Sequence, residues 1–273
     1  MPEAAAPKVP RLVFPVVGKA VYFNDFGAPR GQGGHEGNDI MTTWRSPAVA
    51  AEAGNVKFHT TSARAGCMLY LHGDSGTTYI YIHLNNDRTA KNDNTGKCVA
   101  GTAYWKGLKN GARVEAGQPI AYNGNSGDAD QAGYHLHFEV HPGGGSAVSP
   151  FPYLRKAKKL LFAVQPGADF TAALRGSVVR ADGVERSLTL LVDRVQSWPG
   201  GLRVTEVKRQ VRLAVPPSAV ISDPLGALVA SAQLAALKKG QAAVAWTTRA
   251  QATLEAALGV PMMLTAERLV LTG

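Results

Sequence analysis

The sequence predicts a mainly β protein with an N-terminal antiparallel β-sheet or sandwich that carries a groove and a small, β-barrel-like C-terminal domain. Three observations support this fold class. Short runs rich in β-branched and aromatic residues recur between Gly, Asn and Asp. The 273 residues include 30 Gly and 16 Pro, which favour turns over long helices. Asp182-Gly183 separates two strand-like runs, a strong hairpin signal.

Residues 1–155 are expected to form the first domain, with residues 1–14 as an extended lead-in. The polar stretch 85–109 predicts a long surface loop, because it has no strand pattern. "HGDSGTT" is typical of a hairpin turn. The predicted strands share β-forming residues and turn-forming flanks; they are "AVAAEAGNVKFHT" (48–60), "GCMLYLHGD" (66–74), "TTYIYIHLN" (77–85), "QPIAYNG" (118–124) and "YHLHFEV" (134–140).

Residues 156–168 are interpreted as a linker and residues 169–273 as the second domain. Its predicted strands flank the Asp182-Gly183 turn and recur at "LRVTEVKRQVRLAV", "AAVAWTT" and "ERLVLT". One short helix is expected in "DPLGALVASAQLAALKKG", ending at Gly240. This inventory fits a small barrel, for which an OB-like barrel is one option.

The net charge of +9 is concentrated in the C-terminal part. Residues 156–273 carry 15 of the 29 Lys and Arg but only 8 of the 20 Asp and Glu. This excess indicates affinity for a polyanion, either nucleic acid or an anionic cell-wall polymer, while solubility alone remains the alternative.

No apolar run approaches the roughly 20 residues that span a bilayer, so no membrane span is predicted. The first residues lack the features of a signal peptide, which suggests either a cytosolic protein or numbering that begins on a mature chain.

Cys67 and Cys98 form no CxxC metal motif. They are either one disulfide, which would indicate an oxidising compartment, or two buried thiols.

The stretch "GGHEGNDI" places His35 and Asp39 four residues apart among glycines. Gly and Asn disfavour a helix here, so loop geometry is expected to hold the pair. An imidazole and a carboxylate that converge in this way are typical of a metal site.

The strand "YHLHFEV" offers a second group of polar side chains. A period of two puts His135, His137 and Glu139 on one face, with apolar residues on the other. The two imidazoles are then roughly 7 Å apart along the strand.

In "TTYIYIHLN" the same alternation places Tyr79, Tyr81 and His83 on one face. Two strands with an apolar back and a histidine-bearing front predict the floor of a groove. The other histidines are interpreted as structural residues; they are His59, His72 and His141.

In this order, "HEGNDI", "HGDSGTTYIYIHL", "GARVEAGQPIAYNGNSG" and "GYHLHFEVHPGG", followed by "SPFPYL", resemble the lysostaphin-like (LytM-type) zinc metalloendopeptidases that hydrolyse peptidoglycan. The resemblance covers about residues 15–155. It implies that His35, Asp39 and His137 are zinc ligands and that His83 and His135 are catalytic.

The resemblance also implies one Zn²⁺ per chain and a zinc-bound water as the nucleophile. Two His and one carboxylate leave an open coordination position for that water, whose pKa zinc lowers toward about 7. The implied substrates are stem peptides or cross-bridges of peptidoglycan, and the implied location is extracellular, in the cell wall or the periplasm. Anionic wall polymers are then the expected partner of the basic C-terminal domain, rather than nucleic acid.

Several alternatives stay open at this stage. The chain could be a non-catalytic module that binds walls or activates another hydrolase and retains its metal site. A nucleic-acid binder is a third hypothesis.

The roles of single residues also stay open. Glu139 is a minor candidate for the general base, with a supporting role favoured, while Glu36 is expected to be an exposed carboxylate. Residues 85–111 are longer than in the family, which affects substrate choice. Substrate-positioning amides are suggested at Asn24, Asn38 and Asn125.

Overall fold

The computed structural model describes residues 8–31, 33–60, 62–223, 225–229 and 231–272. The predicted lead-in therefore lies partly outside the described residues. The chain divides into two compact units, with the boundary in the sequence between Lys159 and Leu160. In the described residues of both units strands far outnumber helices, which confirms the mainly β fold class. Among the described residues, no helix combines the length and the hydropathy that crossing a bilayer requires.

The first unit is built on a six-stranded antiparallel sheet with the order β3-β10-β7-β6-β5-β8. Two small two-stranded sheets, β1-β2 and β4-β9, accompany it. The elements are β1 Pro29–Arg30, β2 Gly33–Gly34, β3 Asn38–Met41, β4 Pro47–Val49, β5 Gly54–His59, β6 Cys67–Gly73, β7 Thr78–Leu84, β8 Arg113–Val114, β9 Pro119–Tyr122, β10 His135–His141 and α1 Phe151–Lys156.

Strand β10 has the two faces that its sequence predicts. Leu136, Phe138 and Val140 are fully buried in the core of the unit. Its polar residues face the groove, which His135 and His137 line. The alternation works here because both neighbours, β3 and β7, pair with β10 without a register shift.

Strand β7 departs from the predicted alternation. Tyr79 and Tyr81 are fully buried core residues, so the prediction that they share a face with His83 is wrong. A β-bulge causes the difference, because Ile82 and His83 together lie opposite the single residue Met68 of β6. His83 has φ of +61°, which turns its side chain from the core side to the groove.

Asp39 lies on a strand, and the expectation that a loop holds it is wrong. It belongs to edge strand β3 and lies directly opposite His137 of β10. Residues that face each other across an antiparallel pair have neighbouring side chains, so pairing brings the carboxylate beside the imidazole. His35 does lie in a loop, between β2 and β3.

The long loop after β7 is tied to the sheet. Cys67 of β6 and Cys98 form a disulfide. Tyr104 is fully buried, and its hydroxyl donates to the backbone oxygen of Met68 at 3.1 Å. The loop therefore contributes to the core and is not confined to the surface.

The second unit contains one sheet in the order β13-β12-β11-β16-β18-β14-β15, with β17 paired to β11. A backbone bridge also joins Ala214, at the end of β13, to Thr265 just before β18. The barrel form stays a prediction. The elements are β11 Asp169–Asp182, β12 Ser187–Trp198, β13 Arg203–Ala214, β14 Val220–Ser222, β15 Leu228–Val229, β16 Ala242–Thr247, β17 Ala250–Gln251, α2 Leu254–Leu258 and β18 Ala266–Leu271.

The helix predicted within residues 223–240 is misplaced. The described part of this stretch holds β15 and a 3₁₀ turn, Ser231–Ala236; residues 224 and 230 lie outside the described residues. Asp223 Oδ1 accepts from the backbone N–H of Ala227, which closes a turn between β14 and β15 instead. In the described part of this unit the α-helix is α2, which is capped at its start by the Thr253 hydroxyl and at its end by Gly259.

Candidate metal centre

Three side chains converge on the groove floor of the first unit. His35 Nε2 lies 3.1 Å from Asp39 Oδ1 and 2.8 Å from His137 Nδ1. His137 Nδ1 lies 3.0 Å from the same Asp39 oxygen. These are the three residues that the family resemblance implies as ligands, and their potential ligand atoms form one compact triangle.

The remaining ring nitrogens fix which atoms carry protons. His35 Nδ1 is 3.0 Å from the backbone oxygen of Asp25, which can only accept, so this nitrogen donates. His137 Nε2 donates in the same way to Glu139 Oε1 at 2.9 Å. In the neutral rings the two inner nitrogens therefore present lone pairs to each other and to the Asp39 carboxylate. Three facing acceptors repel one another unless a proton or a metal ion lies between them.

The donor set fits zinc. Two imidazole nitrogens and one carboxylate oxygen are common catalytic zinc ligands, and tetrahedral ligands at zinc distances are about 3.3 Å apart. The observed separations of 2.8 to 3.1 Å need only a small expansion. Both imidazoles also donate their outer N–H to an oxygen, the arrangement that orients metal-binding histidines.

Gly37 permits this close packing. A Cβ at position 37 would lie 2.7 Å from His137 Nε2 and 2.6 Å from the backbone oxygen of Phe138. Any larger residue would therefore press on the imidazole. Position 37, between His35 and Asp39, therefore requires glycine because β10 packs directly against it.

Electrostatics holds the ligands in a charged network. Burial acts to raise the pKa of Asp39, but hydrogen bonds with His137 and His35 outweigh it and keep this pKa well below the usual range. Burial acts to lower the pKa of His137, yet hydrogen bonds with Asp39 and Glu139 raise it to about 9. A positive charge at this position, proton or metal, is thus strongly favoured.

Glu139 supports both neighbouring imidazoles on its face of β10. Its Oε1 accepts from His137, and its Oε2 accepts from His141 Nε2 at 2.7 Å. Burial acts to raise the pKa of Glu139, but these two hydrogen bonds lower it to about 2. The carboxylate is therefore ionised and committed to two donors, which agrees with a supporting role rather than that of a free base.

His83 and His135 flank the triangle with their Nε2 atoms available. His83 Nδ1 donates to the Ser126 backbone oxygen at 2.9 Å, and His135 Nδ1 donates to that of Gly133 at 2.8 Å. Burial, with a smaller contribution from the nearby His135, lowers the pKa of His83 to about 4. The two ring centroids are 5.1 Å apart. Both histidines thus keep a fixed tautomer whose Nε2 is an acceptor.

Two groups at the site carry no signal in the sequence. Asp25 accepts from His35 through its backbone oxygen and from the Asn38 amide through its side chain. Arg30 donates to Asp39 Oδ2 at 2.8 Å, which leaves Oδ1 for the triangle. Neither residue has a diagnostic spacing, because loop folding alone brings them to the ligands.

The remaining residues that the sequence analysis names do not belong to the triangle of potential ligands. Glu36 is exposed and lines the groove, which has a volume of about 570 Å³. Asn125 Nδ2 donates to the Asp130 backbone oxygen, and Asn24 Oδ1 accepts from Ser149. His72 is exposed on β6 and bonds to Thr78.

The sequence is similar to one curated peptidase, although no protein-family model matches it. The L-Ala–D-Glu endopeptidase of Bacillus subtilis (strain 168) is 28% identical over 145 residues. The match spans 49% of this chain and 39% of that protein, so the chain spans well under half the length of this relative. The resemblance to endopeptidases that the motifs predict is therefore confirmed over about half of the chain.

Solved structures include similar chains. The catalytic domain of the antimicrobial peptidase lysostaphin from Staphylococcus simulans is 24% identical, with 50% of this chain and 92% of that chain covered and a TM-score of 0.39. A zinc-containing peptidase from Vibrio cholerae is 23% identical, with coverages of 51% and 39% and a TM-score of 0.37.

Proposed function

We propose that this protein is a zinc endopeptidase that hydrolyses peptide bonds in bacterial cell-wall peptidoglycan. The observation that carries the proposal is the triangle of three facing acceptors, His35, Asp39 and His137, on the floor of an open groove. Similarity to an L-Ala–D-Glu endopeptidase supports the reaction class. One Zn²⁺ per chain fits the three ligand atoms.

The residues of the chain divide the work around this ion. When bound, zinc supplies Lewis-acid polarisation of the scissile carbonyl and acidifies a water molecule. The Nε2 atoms of His83 and His135 are acceptors, so each can take a proton and return it to the leaving amine. Arg30 and Glu139 hold the ligands in place from outside the triangle.

The proposed substrates are stem peptides or cross-bridges, and the proposed location is extracellular, in the wall or in the periplasm. The Cys67–Cys98 disulfide supports an oxidising compartment, where such bonds persist. The second unit begins at Leu160 and carries 12 Lys and Arg against 8 Asp and Glu, a smaller excess that supports binding of anionic wall polymers. Binding of the whole chain to walls should then weaken as salt screens these charges.

Digestion of purified peptidoglycan tests the proposal. Mass spectrometry of the soluble fragments should show peptide-bond cleavage by the zinc-loaded chain and none after chelation. His135→Ala should lower the rate by about two to four orders of magnitude, because it removes a proton-transfer group, while zinc content by elemental analysis stays near one per chain. His137→Ala should lose both zinc and cleavage.

His72→Ala is the matched control, since His72 is an exposed histidine of the same sheet. It should cleave at the wild-type rate. Wall binding without release of fragments would refute the proposal and point to a non-catalytic module. Equal activity of His137→Ala and the wild type would refute the assigned metal site.

A further inference from the structure

The hydroxyl of Ser126 joins two strands beside the β-bulge of β7. Ser126 is buried, and its Oγ accepts from the backbone N–H of Cys67 on β6 at 2.9 Å. The same hydroxyl donates to the backbone oxygen of Leu84 on β7 at 2.6 Å. Cys67 and Leu84 lie opposite each other, and the register shift that makes the bulge begins directly after this pair. The hydroxyl therefore connects β6 to β7 at the edge of the bulge that contains His83.

The backbone oxygen of the same residue holds the His83 side chain. It accepts from His83 Nδ1 at 2.9 Å. Ser126 lies outside the strands, immediately before the 3₁₀ turn Gly127–Ala129. The two bonds of its hydroxyl fix this residue against the sheet, so they also fix the carbonyl that receives the His83 proton.

The chain before β6 packs against Ser126 and supports the backbone of His83. A Cβ at position 66 would collide with Ser126 Oγ, so glycine is required there. The neighbouring Ala65 accepts from the backbone N–H of His83 at 3.3 Å. His83 is thus held through both its backbone and its ring, which agrees with its left-handed φ of +61°.

A carboxylate near the other ring nitrogen competes for the same proton. His83 Nε2 lies 3.9 Å from Oδ1 of the half-exposed Asp128, a distance too long for a hydrogen bond. A modest rotation of the ring would let Nε2 carry the proton and donate it to Asp128. In that tautomer Nε2 has no lone pair with which to accept a proton. Retention of the proton on Nδ1 therefore depends on the carbonyl of Ser126.

We propose that Ser126 is a positioning residue for His83. Its hydroxyl joins β6 to β7 and so holds its own carbonyl at the place that keeps the His83 proton on Nδ1 and leaves Nε2 as an acceptor. The effect on the rate rests on the proposed function, in which His83 transfers a proton. The effect on the tautomer is independent of that function.

Two measurements on the full-length, zinc-loaded chain test the role of Ser126. The ¹⁵N NMR spectrum of the histidine rings shows which nitrogen of His83 carries the proton, and the signals of His83 are those missing from His83→Gln. The wild type should carry this proton on Nδ1. Ser126→Ala should show a mixture in which a measurable share carries it on Nε2, next to Asp128.

The second measurement is the hydrolysis of peptidoglycan. Ser126→Ala should lower kcat by about 10- to 100-fold, because a misplaced proton-transfer group costs about this much. KM should stay within about twofold, since Ser126 is buried and does not contact substrate. Zinc content should remain one per chain, because the three potential ligands do not bond to Ser126.

Ser46→Ala is the matched control. Ser46 is another buried serine of the first unit, and its hydroxyl bonds to that of Thr43 at 2.8 Å. Its loss removes the same atom from the interior without touching β6, β7 or His83. The tautomer of His83 should stay as in the wild type, and kcat should stay within about twofold.

An unchanged tautomer or an unchanged kcat in Ser126→Ala would overturn the proposal, and so would an equal loss of kcat in Ser46→Ala. A wild type that hydrolyses no peptidoglycan would refute the proposed function, and the tautomer comparison would still decide on Ser126. Should circular dichroism show that Ser126→Ala is unfolded, the wild-type spectrum decides: a proton on His83 Nδ1 that exchanges slowly with water supports the proposal, and a proton on Nε2 overturns it.

Discussion

Glu139→Gln should weaken zinc binding although Glu139 is not itself a ligand. The carboxylate accepts one N–H from His137 at 2.9 Å and another from His141 at 2.7 Å. Glutamine keeps one acceptor oxygen for His137, while its NH₂ group can donate to Nε2 of a neutral His141, whose Nδ1 donates to the Gly145 backbone oxygen at 2.8 Å. The structure thus predicts the loss of one charged hydrogen bond and of the negative charge that strengthens His137 as a donor.

The expected effect is a 10- to 100-fold increase in the zinc dissociation constant, the range found when such outer hydrogen bonds are removed. This corresponds to about 1.4 to 2.8 kcal/mol. Competition with a fluorescent chelator measures the constant directly. Glu36→Gln removes an exposed carboxylate next to a ligand and should change it by about twofold or less.

A double variant sharpens the test. In Glu139→Gln combined with His141→Ala, the amide oxygen keeps His137 as its donor, so the zinc dissociation constant should stay within about twofold of that of the single variant. An affinity for Glu139→Gln equal to that of Glu36→Gln would refute the reasoning. So would a double variant whose constant differs from that of the single one by more than this.

Three further predictions concern the first unit. Gly37→Ala should weaken zinc binding by about tenfold or more, because its Cβ would collide with His137; Gly31→Ala, in open space, should not change the chelator titration. Cys98→Ala should lower the free energy of unfolding by about 4 kcal/mol, since Cys67 and Cys98 are 31 residues apart; equal denaturation midpoints with and without reductant in the wild type would contradict this. Removal of zinc should lower the thermal midpoint in calorimetry, and one equivalent of zinc should restore it.

The sequence predicts best where local alternation decides the outcome. On β10, a period of two correctly separates the core residues from His135 and His137, because the strand is flanked by two regularly paired neighbours. On β7, the same rule fails at His83. The bulge depends on the register with β6, and register is a property of pairing between distant segments.

At the candidate metal site, too, the sequence predicts the residues but not the strand pairing that positions them. The motif resemblance selects His35, Asp39 and His137, and the structure brings these three together. The strand under Asp39 was not predicted, because a short edge strand forms only through its partner β10. Turn formation at Asp223 likewise overrides the alanine-rich helix pattern in the second unit.

His83 adopts a left-handed backbone conformation, which costs conformational free energy because histidine has a Cβ atom. A non-glycine residue at φ of +61° costs about 1 to 2 kcal/mol, which glycine would avoid. His83→Gly would remove this cost together with the hydrogen bond from Nδ1 to the Ser126 backbone oxygen, so it should not raise the free energy of unfolding, whereas it should remove the contribution of the imidazole to the proposed hydrolysis. The left-handed conformation of β7 therefore costs stability, and in return it places the His83 imidazole at the groove.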